Sequence, residues 1–153
     1  MKKSATISAC GRYRYELRRV WDESKRFVLF VCLNPSTADA DQDDNTSRVC
    51  IKYAERWGYG GLLIGNLFAY RSVDKSVIKK VNDPIGPEND EWLRKLQDEA
   101  SLIVCAWGDD GGYRMRDESV LSFIKAPHYL VRLNSGRPGH PLYKSQDIKP
   151  SIL

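Results

Sequence analysis

Four continuous apolar runs along the chain predict buried strands. They cover residues 27–33, 62–68, 102–107 and 128–133. Continuous apolar runs are typical of parallel strands that are covered on both faces of a sheet. A fifth segment, residues 12–18, instead alternates apolar and charged residues. This period of two predicts a half-exposed strand at a sheet edge, with its arginines on one solvated face.

Helical periodicity fills the gaps between these runs. In residues 46–57, every fourth position from Val49 is apolar, with Asp44 or Asn45 as N-cap and Gly58 as the stop. The alternation of strands and helices predicts a single α/β domain, a three-layer α/β/α sandwich with a mostly parallel central sheet. The other predicted helices cover residues 72–81, 87–100 and 115–125, and residues 1–11 and 146–153 are expected to be peripheral tails.

Composition limits the class of protein. The chain has 153 residues and a mass of 17.5 kDa, a common size for one domain, and its 42% hydrophobic and 29% charged residues are ordinary for a globular protein. No apolar run approaches the roughly 20 residues of a membrane-spanning helix, and no apolar segment follows the basic start at Lys2 and Lys3. We therefore expect a cytoplasmic protein with no membrane partner.

Charge and cysteine content exclude some chemistries. The net charge of +4 permits nucleic-acid binding without requiring it. The four cysteines form no CxxC pair, so a zinc or iron–sulfur framework is not expected. Cys32 and Cys105 lie inside apolar runs and are interpreted as buried structural thiols. The chain also lacks a GxxxxGKS/T phosphate loop, a GxGxxG loop and a GxSxG elbow.

The carboxyl ends of parallel strands meet at one edge of a sheet, so the polar residues after each apolar run are candidates for a site. Asn34 follows the first run and is held by Pro35; the alternative is an ordinary Asn-Pro turn. Asn66 lies near the end of the second run, and a side-chain amide can read a nucleobase edge while Phe68 or Tyr70 stacks. The alternative is a buried asparagine beside core aromatics. The segments that this rule nominates are residues 34–44, 66–71, 107–113 and 134–143.

One of the two histidines is a candidate for catalysis. His140 lies in a constrained loop after the last apolar run, where a neutral imidazole can donate a hydrogen bond to a developing anion. His128 lies at a strand start after Pro127 and is interpreted as structural.

Four aspartates crowd the segment after Asn34. Aspartate at alternate positions resembles a calcium loop, but Asp44 replaces the glycine of the sixth position and Cys50 replaces the glutamate of the twelfth. We interpret the segment as a solvated loop with a helix N-cap, and a magnesium site is the alternative. The aspartates are Asp39, Asp41, Asp43 and Asp44.

Six strings in a fixed order resemble domain-of-unknown-function family 1643, which occurs in bacteria and phages. The likeness runs from about residue 12 to residue 145. The family's name gives no function. The strings are NPSTADA at 34–40, RWGYGG at 56–61, NLFAYR at 66–71, DPIGPENDEWL at 83–93, AWG at 106–108 and GHPLY at 139–143.

A more distant resemblance is to the uracil-DNA glycosylase superfamily. Its Gly-φ-Asn-Pro-Gly motif, where φ is apolar, matches Leu33-Asn34-Pro35 at φ-Asn-Pro, and the His-Pro of its second motif matches His140-Pro141. Asn66 matches its strand-end asparagine. The resemblance implies that Asn34 positions a water, Asn66 reads the base and His140 stabilises the departing base. It also implies a uracil-DNA-glycosylase-like fold.

The expected function is therefore hydrolysis of a nucleobase N-glycosidic bond, on a modified or unusual base in DNA or in a nucleotide. We expect no cofactor, and a monomer is the default. The alternatives are a non-catalytic protein that binds nucleic acid or a nucleotide, and a metal-dependent enzyme that uses the acidic segment. The expected catalytic residues are Asn34 and His140, and the expected substrate-binding residues are Asn66, Phe68, Tyr70, Arg71, Ser36, Thr37 and Tyr143.

Overall fold

A computed structural model describes residues 1–143 and 148–153 of the chain, except for the side chain of Tyr143. Within this part the chain forms one mixed sheet of seven strands, in the order β1-β2-β4-β3-β5-β6-β7. The strands are β1 (Lys2–Ile7), β2 (Arg14–Val20), β3 (Phe27–Cys32), β4 (Gly61–Asn66), β5 (Leu102–Cys105), β6 (Pro127–Tyr129) and β7 (Ser151–Ile152).

The four predicted apolar runs form the parallel centre of the sheet. β4, β3, β5 and β6 are parallel neighbours, whereas β1, β2 and β7 pair antiparallel. Along the chain, the first crossover leads from β3 to β4 on one side, and the next places β5 on the other side of β3. Such a reversal opens a crevice at the carboxyl ends of the strands, here between β3 and β5.

Helices cover both faces of this sheet, as the three-layer prediction requires. Helix α1 (Asn45–Arg56) packs Cys50 and Tyr53 against one face, while α2 (Asn89–Glu99) and α3 (Arg116–Leu121) pack Leu93 and Val120 against the other. Burial on both faces explains the continuous apolar runs of the central strands. Short 3₁₀ segments cover Lys75–Lys79, Asp109–Met115 and Pro141–Tyr143.

The predicted ends of α1 are confirmed. The Asp44 carboxylate accepts a hydrogen bond from the Ser47 backbone N–H at 2.8 Å, and the Ser47 hydroxyl accepts one from the Asp44 backbone N–H at 2.9 Å. This reciprocal capping box satisfies two backbone donors of the first turn. Gly58 follows the helix with φ +84, a conformation that favours glycine.

The prediction of a solvated edge strand at residues 12–18 is wrong. β2 lies inside the sheet, because the polar segment Lys2–Ile7 pairs with it as β1. The side chains of Arg14 and Arg19 are buried, since backbone carbonyls of residues 38–42 accept their hydrogen bonds. Arg18 is partly exposed and pairs with Glu99.

The prediction of a long buried strand at residues 128–133 is also wrong. β6 has three residues, all partly exposed. The chain turns back after it, with the backbone N–H of Leu133 bonded to the carbonyl of Arg137 at 2.8 Å and that of Gly139 bonded to the carbonyl of Val131 at 2.7 Å. The terminal segments supply the two edge strands, β1 and β7. No helix in the described residues is long and apolar enough to span a membrane.

Candidate active site

A cavity of about 450 Å³ opens at the carboxyl ends of the central strands. Its volume lies in the range of small-molecule sites. All four segments nominated from the strand ends contribute to its lining: residues 34–44, 66–71, 107–113 and 134–143. The cavity therefore lies at the crevice that the strand order predicts.

The cavity brings together four of the expected site residues from three separate parts of the chain. Asn34, Ser36, Asn66 and His140 all line it. Thr37 lies beside it, on a shallow neighbouring depression at the start of α1. The side chain of Tyr143 lies outside the described residues.

Three expected residues after β4 do not line the cavity. Phe68 is fully buried in the core under α2 and α3. Tyr70 packs its ring edge-to-face on Tyr13, with the ring centroids 5.7 Å apart. Arg71 donates a hydrogen bond to the carbonyl of Gly11 at 3.3 Å. The structure therefore places these side chains in packing and loop contacts rather than beside a ligand.

The Asn34 amide is held by the loop after β4. Its Nδ2 donates to the carbonyl oxygens of Ser72 at 3.2 Å and Pro35 at 3.3 Å, and the Ser72 backbone N–H donates to the Pro35 carbonyl at 2.9 Å. These bonds use the donor side of the amide. The Oδ1 atom is the side of the amide that can accept a hydrogen bond from a water or a ligand.

The Asn66 side chain is 2% exposed, and its Nδ2 has no hydrogen-bond partner in the described residues. Its position is fixed through the backbone, because the Asn89 amide donates to the carbonyl of Asn66 at 2.9 Å and to that of Leu67 at 3.1 Å. An unpartnered buried amide is costly and uncommon in folded proteins. This donor is therefore suited to an acceptor atom of a ligand in the cavity.

His140 is set to donate from one ring nitrogen. Its Nδ1 accepts the backbone N–H of Leu142 at 3.2 Å, so the neutral ring carries its proton on Nε2. Burial lowers the pKa of His140, and Lys75 lowers it further, while Asp44 opposes this shift. The imidazole is thus a neutral donor near pH 7.

Two buried donors in the lining were not among the expected site residues. Arg14 is 3% exposed; its Nη1 donates to the carbonyl of Ala38 at 2.9 Å, and its Nε has no partner. Burial lowers its pKa to about 10, while Asp44 acts in the opposite direction. Trp107 is 2% exposed, and its indole Nε1 also has no partner. The signal for Trp107 is its position at the end of an apolar run, two residues after β5, whereas the alternating pattern around Arg14 predicts a solvated face.

Carboxylates also line the cavity, and each has a contact of its own. Asp44 caps α1, Asp110 pairs with Lys75 at 2.9 Å, and Asp109 accepts a hydrogen bond from the hydroxyl of Ser135. Asp110 also pairs with Lys79 at 3.3 Å, and Lys75 lines the cavity as well, so the charge of this carboxylate is neutralised locally.

The acidic segment organises a loop. The Asp39 carboxylate accepts the backbone N–H groups of Asp41 at 2.9 Å and Gln42 at 2.8 Å, and Asp43 pairs with Arg19 at 2.7 Å. No group of three His, Cys, Asp or Glu side chains in the described part of the chain could hold a metal ion. The contacts of Asp39, Asp43 and Asp44 thus belong to the loop and to the cap of α1.

The family comparison agrees with the ordered strings in the sequence. The model of a family described as "Protein of unknown function (DUF1643)" matches residues 14–142. No curated protein and no solved structure matches the chain.

Proposed function

Since the chain belongs to the DUF1643 family, whose description assigns no chemistry, we propose a function from the site: hydrolysis of the N-glycosidic bond of a modified or unusual nucleobase, in DNA or in a nucleotide. The observation that carries the proposal is the meeting of Asn34, Asn66 and His140 in one cavity. These residues lie at or beyond the ends of different strands and are far apart in the sequence. A uracil-DNA-glycosylase-like architecture is part of this proposal.

The reaction needs a held water and a stabilised leaving group. The bond between the sugar carbon and the base nitrogen breaks, and its electron pair passes to the base. A water oxygen bonds to the sugar carbon, and the water loses one proton, which the base takes up directly or through solvent. Charge stabilisation matters more than a strong nucleophile, because the transition state of such a reaction has oxocarbenium character.

The three residues suit three different tasks. Asn34 offers Oδ1 to orient the water, since its Nδ2 is used by the carbonyl groups of Ser72 and Pro35. Asn66 offers a buried, unpartnered Nδ2 to an acceptor on the base. His140, neutral and protonated on Nε2, donates to the base as negative charge develops on it.

The walls of the cavity favour a planar ring. Cys32, Leu33 and Ile64 contribute apolar surface, and the indole of Trp107 lines the same cavity. Apolar walls with a few fixed polar groups are typical of sites for small heterocycles.

The test is release of free base, detected by mass spectrometry. The purified protein is incubated with nucleotides and with single- and double-stranded DNA that carry a panel of normal and modified bases, each with and without a chelator. We expect the protein to release one class of base, and we expect the chelator not to inhibit this release. Asn34→Ala and His140→Ala should lose at least a hundredfold in rate.

Two matched variants control for nonspecific effects. Asn82→Ala changes an exposed asparagine outside the cavity, and His128→Ala changes the other histidine, so both should keep the wild-type rate. Folded Asn34→Ala and His140→Ala proteins with unchanged rates would overturn the assigned roles. No release across the panel, with binding to one member, would instead indicate a non-catalytic binding protein. Release lost on chelation would indicate the metal-dependent alternative.

A further inference from the structure

Two arginines on β2 are buried, and one of them is fully compensated. Arg19 is 0% exposed, and its Nε pairs with the Asp43 carboxylate at 2.7 Å. Its two terminal nitrogens donate to four backbone carbonyls, those of Ser4, Arg18, Asp39 and Gln42. A buried guanidinium with a counter-ion and a full set of acceptors is the arrangement expected of a structural arginine.

Arg14 lacks this compensation. It lies on the same strand and lines the cavity, yet no carboxylate in the described residues lies within 4.0 Å of it, and its one hydrogen bond goes to the carbonyl of Ala38. Its Nε has no partner. A buried cation without a counter-ion is costly, so the arrangement is explained if a bound ligand supplies negative charge.

The buried cavity-lining atoms that lack a hydrogen-bond partner in the described residues are all hydrogen-bond donors. Among the described cavity-lining side chains, the buried atoms without a hydrogen-bond partner are Nε of Arg14, Nδ2 of Asn66 and Nε1 of Trp107. Each is an N–H donor. A ligand that complements them presents acceptors, such as ring carbonyl oxygens and deprotonated ring nitrogens. An exocyclic amino group on the ligand is itself a donor and would oppose these N–H groups, so it is disfavoured.

The other charges of the cavity narrow the class of anion. Asp44 and Asp109 line the same cavity and oppose a compact, doubly charged group such as phosphate, whereas Asp110 is paired with Lys75, which also lines the cavity. The apolar surface of Cys32 and Leu33 favours a flat ring. A heterocyclic monoanion, whose charge is spread over several atoms, suits both features.

We propose that Arg14 forms an anion subsite that, with Asn66 and Trp107, binds the acceptor edge of an oxo-bearing heterocyclic base as its monoanion. The identification of this ligand as a nucleobase rests on the proposed function. In that reaction the departing base carries the electron pair of the broken bond, so Arg14 neutralises the charge of the leaving group. Bases that bear ring carbonyls are then the substrates, and amino-bearing bases such as adenine are excluded.

The test measures the protonation state of a bound base rather than its release. 5-Nitrouracil is an oxo-bearing ring whose absorption spectrum distinguishes the neutral form from the anion. We expect the wild-type protein to prefer the anion at least tenfold, which lowers the apparent pKa of the bound ligand by one unit or more. Arg14→Gln should abolish the preference, and Arg14→Lys should retain part of it. Adenine and inorganic phosphate should bind weakly.

Thermal unfolding tests whether each variant is folded. If Arg14→Gln does not fold, Asp44→Asn gives a second test of the charge preference of the cavity. Removing that carboxylate should strengthen binding of the anion and leave binding of neutral uracil unchanged. Equal affinity for the two forms in the wild type, or an anion preference that survives Arg14→Gln, would overturn the proposal. Arg14-dependent binding of phosphate without binding of the ring would overturn the ligand class.

The two proposals fail separately. An Arg14-dependent preference for the anion without base release would uphold the subsite and contradict the hydrolase. Base release with no role for Arg14 in anion binding would uphold the hydrolase and contradict the subsite.

Discussion

The backbone of Gly111 lies against the indole of Trp107 so closely that a Cβ on Gly111 would come within 2.3 Å of the indole Cδ1. The absence of a side chain on Gly111 therefore lets the indole pack against this backbone, where the chain forms the 3₁₀ segment Asp109–Met115. A donor held in this way loses little freedom when a ligand binds, which favours affinity.

We predict that Gly111→Ala displaces the indole and weakens binding of an oxo-bearing base about tenfold or more, since a 1 Å misplacement is costly in a fixed site. Trp107→Phe is the companion variant, because it keeps most of the ring and removes the N–H. Calorimetric titration with 5-nitrouracil measures both. Wild-type affinity in Trp107→Phe would show that the indole donor is not used.

Asn66 offers a prediction that separates function from stability. Replacing it with leucine removes an unsatisfied buried amide and keeps a similar volume, so the free energy of unfolding should rise by about 1 kcal/mol. For a chain of this size that corresponds to about 2–4 °C in Tm. The same variant should lose base binding. A marked fall in Tm measured by calorimetry would instead assign Asn66 a structural role.

The two buried arginines should differ in their effect on stability. Arg19→Gln leaves Asp43 with only its longer ion pair to Lys3 and several carbonyls without their donor, and it should lower the free energy of unfolding by about 3–5 kcal/mol. Arg14→Gln removes an uncompensated charge and should cost about 1 kcal/mol or less. Urea denaturation of both variants measures the contrast. Similar losses would mean that Arg14 is as structural as Arg19.

Asp44 has two tasks that substitutions can separate. Asp44→Ala removes the N-cap of α1 and should cost about 1 kcal/mol of unfolding free energy, whereas Asp44→Asn keeps the cap and should cost much less. Urea denaturation checks this difference. Equal losses in the two variants would show that the charge of Asp44, and not its capping bond, stabilises the helix.

His140 should titrate below the ordinary histidine value of 6.5, because burial lowers its pKa. The unfolded chain then binds more protons than the folded protein between the two pKa values. The stabilisation that comes from burying His140 in its neutral form is complete above pH 6.5, and it is lost as the pH falls toward the pKa of His140 in the folded protein. The chain has two histidines, so NMR of the ring protons, with His128→Gln for assignment, reads the midpoint directly. A titration midpoint of His140 at or above pH 6.5 would contradict the lowered pKa.

Apolar periodicity was sufficient to predict the centre of the fold. The runs at residues 27–33 and 62–68 became the adjacent strands β3 and β4, since burial on both faces requires continuous apolar sequence. β1 could not be predicted in this way, because its sequence, KKSATI, has no apolar pattern and is held by pairing with β2.

The site could be predicted where polar residues lie at the ends of buried strands. Asn34 lies two residues after β3 and Asn66 ends β4, and both line the cavity. Phe68 and Tyr70 share the same segment, but whether an aromatic ring faces the core or a ligand depends on the packing of α2 and β2. Arg14 was missed because alternation along a strand does not reveal that a distant loop, residues 38–44, will cover its charged face.

The N-terminal strand has a practical consequence for protein engineering. The carbonyl of Ser4 on β1 accepts a hydrogen bond from Arg19, and Arg19 in turn holds the carbonyls of Asp39 and Gln42 in the loop beside the cavity. A trimmed variant that lacks the first seven residues would expose this guanidinium to water and loosen the loop. Truncation for crystallisation should therefore leave β1 intact.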